Sequence, residues 1–288
     1  MDKSENIVYM RVLIAFDNGE DEAPSVTKIA QQLGVTKYVV SRAVSRFAEI
    51  GYINRENVRR PFLTGDGRRA VKNYKEKIEI ARYVYLMTGR EVSEDVVFKA
   101  AMSYVDEDPV YKSFKSSYEL YKIISMFKGS GGFSGRDFSI KVGNARIRAD
   151  FKMTKVGDIK NCQSIRDTIS MAQNGFVKPC EIVVINGEGS LLLRPVEMKH
   201  LSMLDKTEKK GHAVNLCYFK DNRFKNADFD GECYYIPLSC VQFTCKDNGI
   251  RSEINGEILL QMMCSAGKIH MSVSVAMMNV TISNNALI

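Results

Sequence analysis

The sequence of 288 residues contains no tryptophan, only three histidines, and no two cysteines separated by two residues. No stretch approaches the roughly 20 consecutive apolar residues that a membrane-spanning helix needs, so we expect no membrane partner. The N-terminal segment Met1–Glu5 lacks the apolar core of a secretory signal. Because the seven cysteines are odd in number and form no close pair, the sequence predicts reduced thiols and a cytoplasmic protein.

Overall composition places the chain among folded proteins, because 45% of its residues are hydrophobic and 26% are charged. Its length predicts two domains. Positive charge is concentrated between Pro24 and Arg82, where thirteen basic residues face five acidic ones, although the whole chain carries only +7. Such a cluster attracts phosphate backbones. A solvated basic face with no partner would show the same pattern, so charge alone leaves both interpretations open.

Residues 1–128 show the capping residues and apolar spacing of helices. Ser25 and Thr36 stand where N-caps belong, while Gly34 and Gly51 stand where two of the helices end. The pattern predicts six helices over residues 5–15, 26–33, 37–50, 66–87, 94–104 and 109–127. A short hairpin is predicted within residues 52–64.

The order of these elements between residues 25 and 64 is that of a winged helix-turn-helix: a capped helix, a tight turn, a second capped helix and a hairpin. Gly34 suits this turn because the chain must reverse within a few residues. Hydroxyl, tyrosine and basic side chains occupy the face of the second helix opposite its apolar stripe. Such a helix fits the major groove of DNA, so the sequence predicts double-stranded DNA as a partner.

The predicted DNA contacts fall into four groups. Three side chains on the first turns of the second helix are expected near base edges: Tyr38, Ser41 and Arg42. Three others are expected at phosphates: Thr36, Lys37 and Arg46. The hairpin is expected to place three arginines on the flanking backbone or in the minor groove: Arg55, Arg59 and Arg60. The start of the preceding helix contributes two hydroxyls: Ser25 and Thr27.

Several segments of this region resemble a known family. The stretches Thr27–Thr36, Val39–Val44 and Glu49–Ile53 resemble bacterial transcription regulators, and Leu63–Ala70 resembles the signature that follows their wing. The helices within residues 76–127 resemble the dimerisation helices of the diphtheria-toxin-repressor-type (DtxR-type) metalloregulators. This resemblance implies a homodimer that reads a two-fold symmetric operator, with half-sites a helical turn or more apart.

The metal ligands of that family are missing from the corresponding positions. The first 199 residues contain no histidine and the first 161 no cysteine. Lys77 stands near the place of a family histidine, and the second ligand cluster has Ala100, Ala101, Ser103 and Tyr104. A cation repels a metal and alanine cannot bind one, so we expect neither a metal nor another cofactor. The acidic residues 106–108 are read as an exposed turn.

The glycine-rich segment 129–135 predicts a flexible linker. The sequence therefore predicts an α+β chain with four parts: a winged helix over 1–75, a helical dimerisation segment over 76–128, the linker, and a β-rich domain over 136–288. Strands are expected over residues 181–185, 190–194, 214–220, 233–237, 241–245, 258–263 and 270–282, with one helix over 165–173.

The β-rich domain carries all seven cysteines and all three histidines. Cys240 and Cys245 are spaced too widely, and lack the second pair, for a typical structural zinc site. No catalytic motif stands out, so we expect a non-enzymatic domain that binds a small-molecule effector or sets the oligomeric state. The strand-like tail could also pair with the sheet of a second subunit.

Together these observations predict a homodimeric DNA-binding transcription regulator, with repression the expected mode. Two alternatives remain open at this stage. The β-rich domain could be catalytic, with the winged helix as an accessory. The winged helix could instead serve only protein contacts.

Overall fold

The computed structural model describes residues 3–17, 24–57, 60–156, 170–201, 208–249, 252–266, 269–270 and 273–284. The chain is an α+β protein with a helical first part and a second part dominated by antiparallel strands. It divides into two compact units, Met1–Tyr118 and Glu119–Ile288. Across the described ranges, no helix combines the length and the apolar character needed to cross a bilayer.

Seven helices occupy the described ranges: α1 (Lys3–Ala15), α2 (Val26–Leu33), α3 (Lys37–Glu49), α4 (Gly65–Met87), α5 (Glu94–Ser103), α6 (Pro109–Met126) and α7 (Gly135–Val142). The first six confirm the predicted helices to within two residues at either end. Their starts agree because local side chains cap them: the Thr36 and Thr64 hydroxyls each accept a backbone N–H three residues later.

The strands are short in the first unit and long in the second. The first unit holds β1 (Ile53–Asn54) and β2 (Phe62–Leu63), which pair antiparallel as the predicted hairpin. The second unit holds β3 (Gly132–Ser134), β4 (Ala145–Lys155), β5 (Cys180–Ile185), β6 (Glu188–Leu193), β7 (Met198–Leu201), β8 (Glu208–Lys220), β9 (Arg223–Asn226), β10 (Asp228–Phe229), β11 (Tyr234–Pro237), β12 (Gln242–Lys246), β13 (Glu253–Ala266), β14 (Ile269–His270) and β15 (Ser274–Ser283).

The core of the first unit lies where α1, α2 and α3 meet the hairpin. Val12 and Leu13 of α1 and Val40 of α3 are fully buried. The Phe47 ring packs between two tyrosines, with centroids 6.3 Å from Tyr9 and 6.2 Å from Tyr52. The apolar stripe of α3 therefore faces this core, and its remaining side chains face outward.

The second unit is one antiparallel sheet that runs in the order β10, β11, β6, β5, β4, β15, β13. Beyond β13 it divides, because residues 253–257 pair with β12 and residues 260–266 pair with β8. β3 pairs with β12 and so extends the first branch. In the second branch, β7 pairs with the start of β8 and β9 with its end. β4 changes partner midway, pairing with β5 over 145–149 and with β15 over 150–155.

The predicted linker over 129–135 is largely ordered structure in the second unit. Gly132–Ser134 forms β3 against β12, and Gly135 begins α7. A Cβ atom on Gly135 would lie 1.8 Å from the Leu238 carbonyl oxygen, so this glycine permits close packing and not free rotation. The expected boundary between residues 75 and 76 likewise falls inside α4.

Several other expectations differ from the structure. Residues 165–169 of the predicted helix lie outside the described ranges, and Met171–Gly175 forms only a short 3₁₀ turn. The tail strand expected over 270–282 is divided into β14 and β15. β15 pairs with β13 on one edge and β4 on the other, so the paired part of the tail has no edge left for a second subunit's sheet.

β4 and α7 were not predicted, nor were the short strands β3, β7, β9 and β10. β4 does carry a visible signal, since residues 146–153 alternate between exposed and buried. α7 escaped prediction because it is only eight residues long and begins in the glycine-rich segment.

Candidate nucleic-acid interface

The turn between α2 and α3 is built from two caps and one glycine. The Ser25 hydroxyl accepts the Lys28 backbone N–H at 3.2 Å and so fixes the start of α2. Gly34 adopts a left-handed conformation with a φ of +65°, and Val35 N–H then donates to the Ala30 carbonyl at 3.0 Å. Only glycine adopts this conformation without steric penalty, so the local sequence sets the angle at which α3 leaves α2.

The outward side of α3 carries two parallel rows of side chains at four-residue spacing. The first row is exposed: Tyr38, Arg42 and Arg46. The second row is half-buried: Ser41 and Ser45. Tyr38 is 73% exposed, an unusual value for so large a ring. The exposed row therefore presents an aromatic ring and two guanidinium groups along one line.

Side chains at the helix starts keep hydrogen-bonding capacity. Ser25 and Thr36 are exposed and use their hydroxyl oxygens as acceptors for the caps, so each O–H remains available to donate to a phosphate. Lys37 is exposed beside Thr36, whereas Thr27 is half-buried. Arg46 forms an exposed ion pair with Glu49 at 3.0 Å, and surface ion pairs of this kind are weak.

The hairpin arginines that the structure describes differ in their contacts with α3. Arg55 follows β1 directly, and its Nη1 donates to Ser45 Oγ on α3 at 2.6 Å. Arg60, just before β2, is exposed. Arg59 lies outside the described residues. The structure therefore brings Arg55, but not Arg60, into contact with the helix that carries the exposed row.

A second contact fastens the hairpin to the start of α4. The Thr64 hydroxyl donates to the Gly51 carbonyl at 2.6 Å and accepts the Gly67 N–H at 3.0 Å. A Cβ on Gly67 would lie 2.0 Å from the Tyr52 carbonyl oxygen, so only glycine permits this approach. The segment Leu63–Ala70, recognised from its resemblance, thus has a physical role in holding the hairpin.

Sequence reasoning counted the cations of α4 but gave them no role. Arg68 and Lys72 are exposed one helical turn apart. Arg69 is paired with Asp66, and Lys75 is paired with Asp17 at 2.8 Å. The i, i+4 spacing of Arg68, within the segment Leu63–Ala70, and Lys72, two residues after it, is the signal that could have marked them as further phosphate contacts.

At the position where the resemblance implies a metal ligand, the structure has an ammonium group. Lys77 Nζ lies 3.0 Å from Asp106 Oδ1 and 2.9 Å from the Tyr104 carbonyl oxygen, with its side chain 11% exposed. It also lies 5.5 Å from the centre of the Tyr111 ring. The lysine occupies the oxygen donors that a cation would need, so these residues do not fit a divalent metal.

The pKa values of two groups near Lys77 are shifted, each for a different reason. The hydrogen bond from Lys77 lowers the pKa of Asp106 below its ordinary value. Burial raises the pKa of Tyr111 to about 12. The acidic turn at 106–108 is therefore partly bound to α4, through both Lys77 and the Asn73 amide.

The described cysteines of the second unit are either buried, as Cys180 and Cys233 are, or half-buried. Five are free thiols: Cys180, Cys217, Cys233, Cys240 and Cys245. Burial raises the pKa of Cys180 to about 12. Within the described ranges, no three histidine, cysteine, aspartate or glutamate side chains lie close enough together to hold a metal ion.

Comparisons with known proteins add little. No protein-family model matches the chain, and no curated protein is detectably similar to it. A similar solved structure is the NEAT5 domain of IsdX2, a B. anthracis hemophore in complex with heme. It shows 12% identity and a TM-score of 0.27, covering 48% of this chain and 95% of that one. A point mutant of the same domain with heme shows 13% identity, the same TM-score, and coverages of 48% and 94%. Similarity this low carries no argument about fold or function.

Proposed function

We propose that α2, α3 and the β1–β2 hairpin form a winged helix-turn-helix, and that the protein is a homodimeric DNA-binding transcription regulator that represses. The observation that carries this proposal is the exposed row Tyr38, Arg42 and Arg46 on a helix held at a defined angle by the Gly34 turn. A helix with this row fits the width of the major groove.

Each part of the surface has a role in this mechanism. α3 enters the groove, where Tyr38, Ser41 and Arg42 reach base edges. Thr36, Lys37 and Arg46 neutralise or hydrogen-bond the phosphates on either side, as do Ser25 and Thr27 at the start of α2. The exposed hairpin residue Arg60 and the α4 cations extend this contact along the backbone.

Regulation by a divalent metal at the inherited position is not part of the proposal, because Lys77 fills that place. The second unit is assigned to effector binding or to assembly of the dimer. The support for this assignment is its continuous apolar core, which runs from Phe138 through β4 and β13.

The test is selection of duplexes from a random-sequence DNA library by the purified protein, followed by fluorescence anisotropy at two salt concentrations. The variant Arg42→Ala/Arg46→Ala should lose about one unit of salt slope with the phosphate contact of Arg46, and most of its affinity for the selected duplex with the base contact of Arg42. The variant Arg148→Ala/Arg223→Ala removes the same charge from the second unit and should bind like the wild type.

Three results would contradict the proposal. Absence of enriched sequences together with no binding at low salt would favour a protein-contact module or an enzyme. Equal losses in both double variants would show that net charge, and not α3, attracts DNA. Binding that appears only with added Mn²⁺ or Fe²⁺ would contradict the role given to Lys77.

A further inference from the structure

The Arg55 side chain links the hairpin to the middle of α3 through a chain of hydrogen bonds. Its Nη1 donates to Ser45 Oγ at 2.6 Å. Ser45 Oγ donates in turn to the Ser41 carbonyl oxygen at 3.0 Å. A hydroxyl group has a single proton. Ser45 donates that proton to the Ser41 carbonyl oxygen, so it accepts the hydrogen bond from Arg55 with an oxygen lone pair. The link therefore has one defined direction, from guanidinium to hydroxyl to carbonyl.

Arg55 differs from the other arginines of the surface in its burial. Its side chain is half-buried, whereas Arg42, Arg46 and Arg60 are exposed. Charged donors make shorter and stronger hydrogen bonds than neutral ones, which suits a fixed contact. The Asn54 side chain also restrains the backbone around Arg55, because its Oδ1 accepts the Glu56 backbone N–H at 2.9 Å. The hairpin is thus fixed to α3 at the residue that directly follows β1.

The contact falls on the turn of α3 that follows the residues expected to read bases. Ser45 lies one helical turn after Ser41 and three residues after Arg42, and all three stand on the outward side of the helix. A change in the angle between hairpin and helix would move these side chains relative to the groove. Displacements of this kind abolish base hydrogen bonds while leaving the less directional phosphate attraction largely intact.

We propose that Arg55 is a positioning residue that acts through Ser45 to hold α3 against the hairpin, and that it gives sequence specificity to DNA binding instead of contacting a phosphate. This inference rests on the proposed function. It assigns Arg55 a role different from the backbone contact that its place in the sequence suggests.

The experiment compares each variant on two probes, a duplex selected by the wild-type protein and an unselected duplex of the same length. Arg55→Ala and Ser45→Ala should each weaken binding to the selected duplex about tenfold and leave the unselected duplex and the salt slope nearly unchanged. The double variant should be little weaker than either single one, because coupled residues are not additive. Ser45→Thr keeps the hydroxyl and should restore specificity.

Arg60→Ala is the matched control, since this hairpin arginine is exposed. It should weaken binding to both duplexes equally and lower the salt slope by about one unit. The positioning role is overturned if Arg55→Ala behaves like Arg60→Ala while Ser45→Ala behaves like the wild type. Ser45→Ala removes one atom and keeps this test informative even if Arg55→Ala unfolds. If the wild type binds neither duplex, the proposed function itself fails, and the positioning role fails with it.

Discussion

The two compact units differ in how far apart along the chain their contacting residues lie. In the first unit the contacts that fix the helix starts are local. The Ser25 hydroxyl accepts the Lys28 backbone N–H, and the Thr36 hydroxyl accepts the Val39 backbone N–H, each three residues later. In the second unit the contacts are distant, as when Thr154 bonds to the carbonyl of Met277, 123 residues later. Local contacts leave patterns in the sequence that a reader can recognise, whereas distant strand pairing does not.

This difference also separates what can be said of function in each unit. Every predicted DNA contact lies in the locally determined unit, where spacing alone shows which side chains share a face. The second unit is held together by pairing between strands that are distant in sequence, such as β4 and β15. Its sequence pattern therefore does not indicate which residues share a functional surface. The proposals for the first unit are therefore specific, and the role of the second is defined only as effector binding or assembly.

The largest effect is expected from breaking the distant contacts. Phe243 is 1% exposed, and its ring centroid lies 5.0 Å from Phe138 and 5.8 Å from Phe133. Phe243→Ala should lower the free energy of unfolding of the second unit by about 3–5 kcal/mol, because it leaves a cavity in the aromatic core. Hydrogen exchange read by mass spectrometry should show lost protection in β12 and β13 and unchanged protection in α2 and α3.

Phe229→Ala is the control for that substitution, because this ring is half exposed and should matter far less. Equal loss of protection in α3 would mean that the two units do not unfold separately, and the comparison between them would fail.

A smaller effect is expected where the hairpin meets α4. Gly67→Ala places a methyl group 2.0 Å from the Tyr52 carbonyl oxygen and should destabilise the first unit by roughly 1–3 kcal/mol. Gly65→Ala, two residues earlier in the same helix, meets no atom within 4 Å and should be neutral or slightly stabilising. Urea denaturation followed by circular dichroism measures both. Equal stability of the two variants would refute the close-packing explanation.

Removal of a helix cap should lower the free energy of unfolding by less than the Gly67 substitution does. Thr36→Ala removes the side-chain acceptor for the Val39 N–H and should cost about 1 kcal/mol, with fraying at the start of α3. Thr36→Ser preserves the acceptor and should retain wild-type stability. Exchange rates of the amides of residues 38–40 report the fraying directly, and wild-type rates in Thr36→Ala would show that the cap is unimportant.

The smallest effect is a pH dependence at Lys77. Because the folded pKa of Asp106 is lowered, its contribution to stability is present above its ordinary pKa and is lost as the pH falls through the folded value. Lys77→Met should remove that contribution, so the stability difference between the wild type and the variant should narrow below about pH 4. The exposed Lys72→Met in the same helix is the control. A stability difference between the wild type and Lys77→Met that stays constant with pH would contradict the Lys77–Asp106 pair.

Sequence reasoning succeeded where one residue acts on a near neighbour. It placed the caps Ser25 and Thr36, the Gly34 turn and the Pro109 helix start, because each satisfies a backbone requirement within one turn. It misread residues 129–135, since glycine signals freedom in isolation but close packing beside the Leu238 backbone. It also could not anticipate that Arg55, ten residues after Ser45, would turn back onto α3.

By itself the sequence determined the α+β class, the six helices of the first part, the hairpin after α3 and the clustering of positive charge. Only the tertiary structure decided which cations are engaged: it bonded Lys77 to Asp106, Arg55 to Ser45 and Lys75 to Asp17, and left Arg60, Arg68 and Lys72 exposed. The physical reason is that capping and helical periodicity act over a few residues, while the partner of a long charged side chain depends on which other group the fold brings within about 3 Å of it.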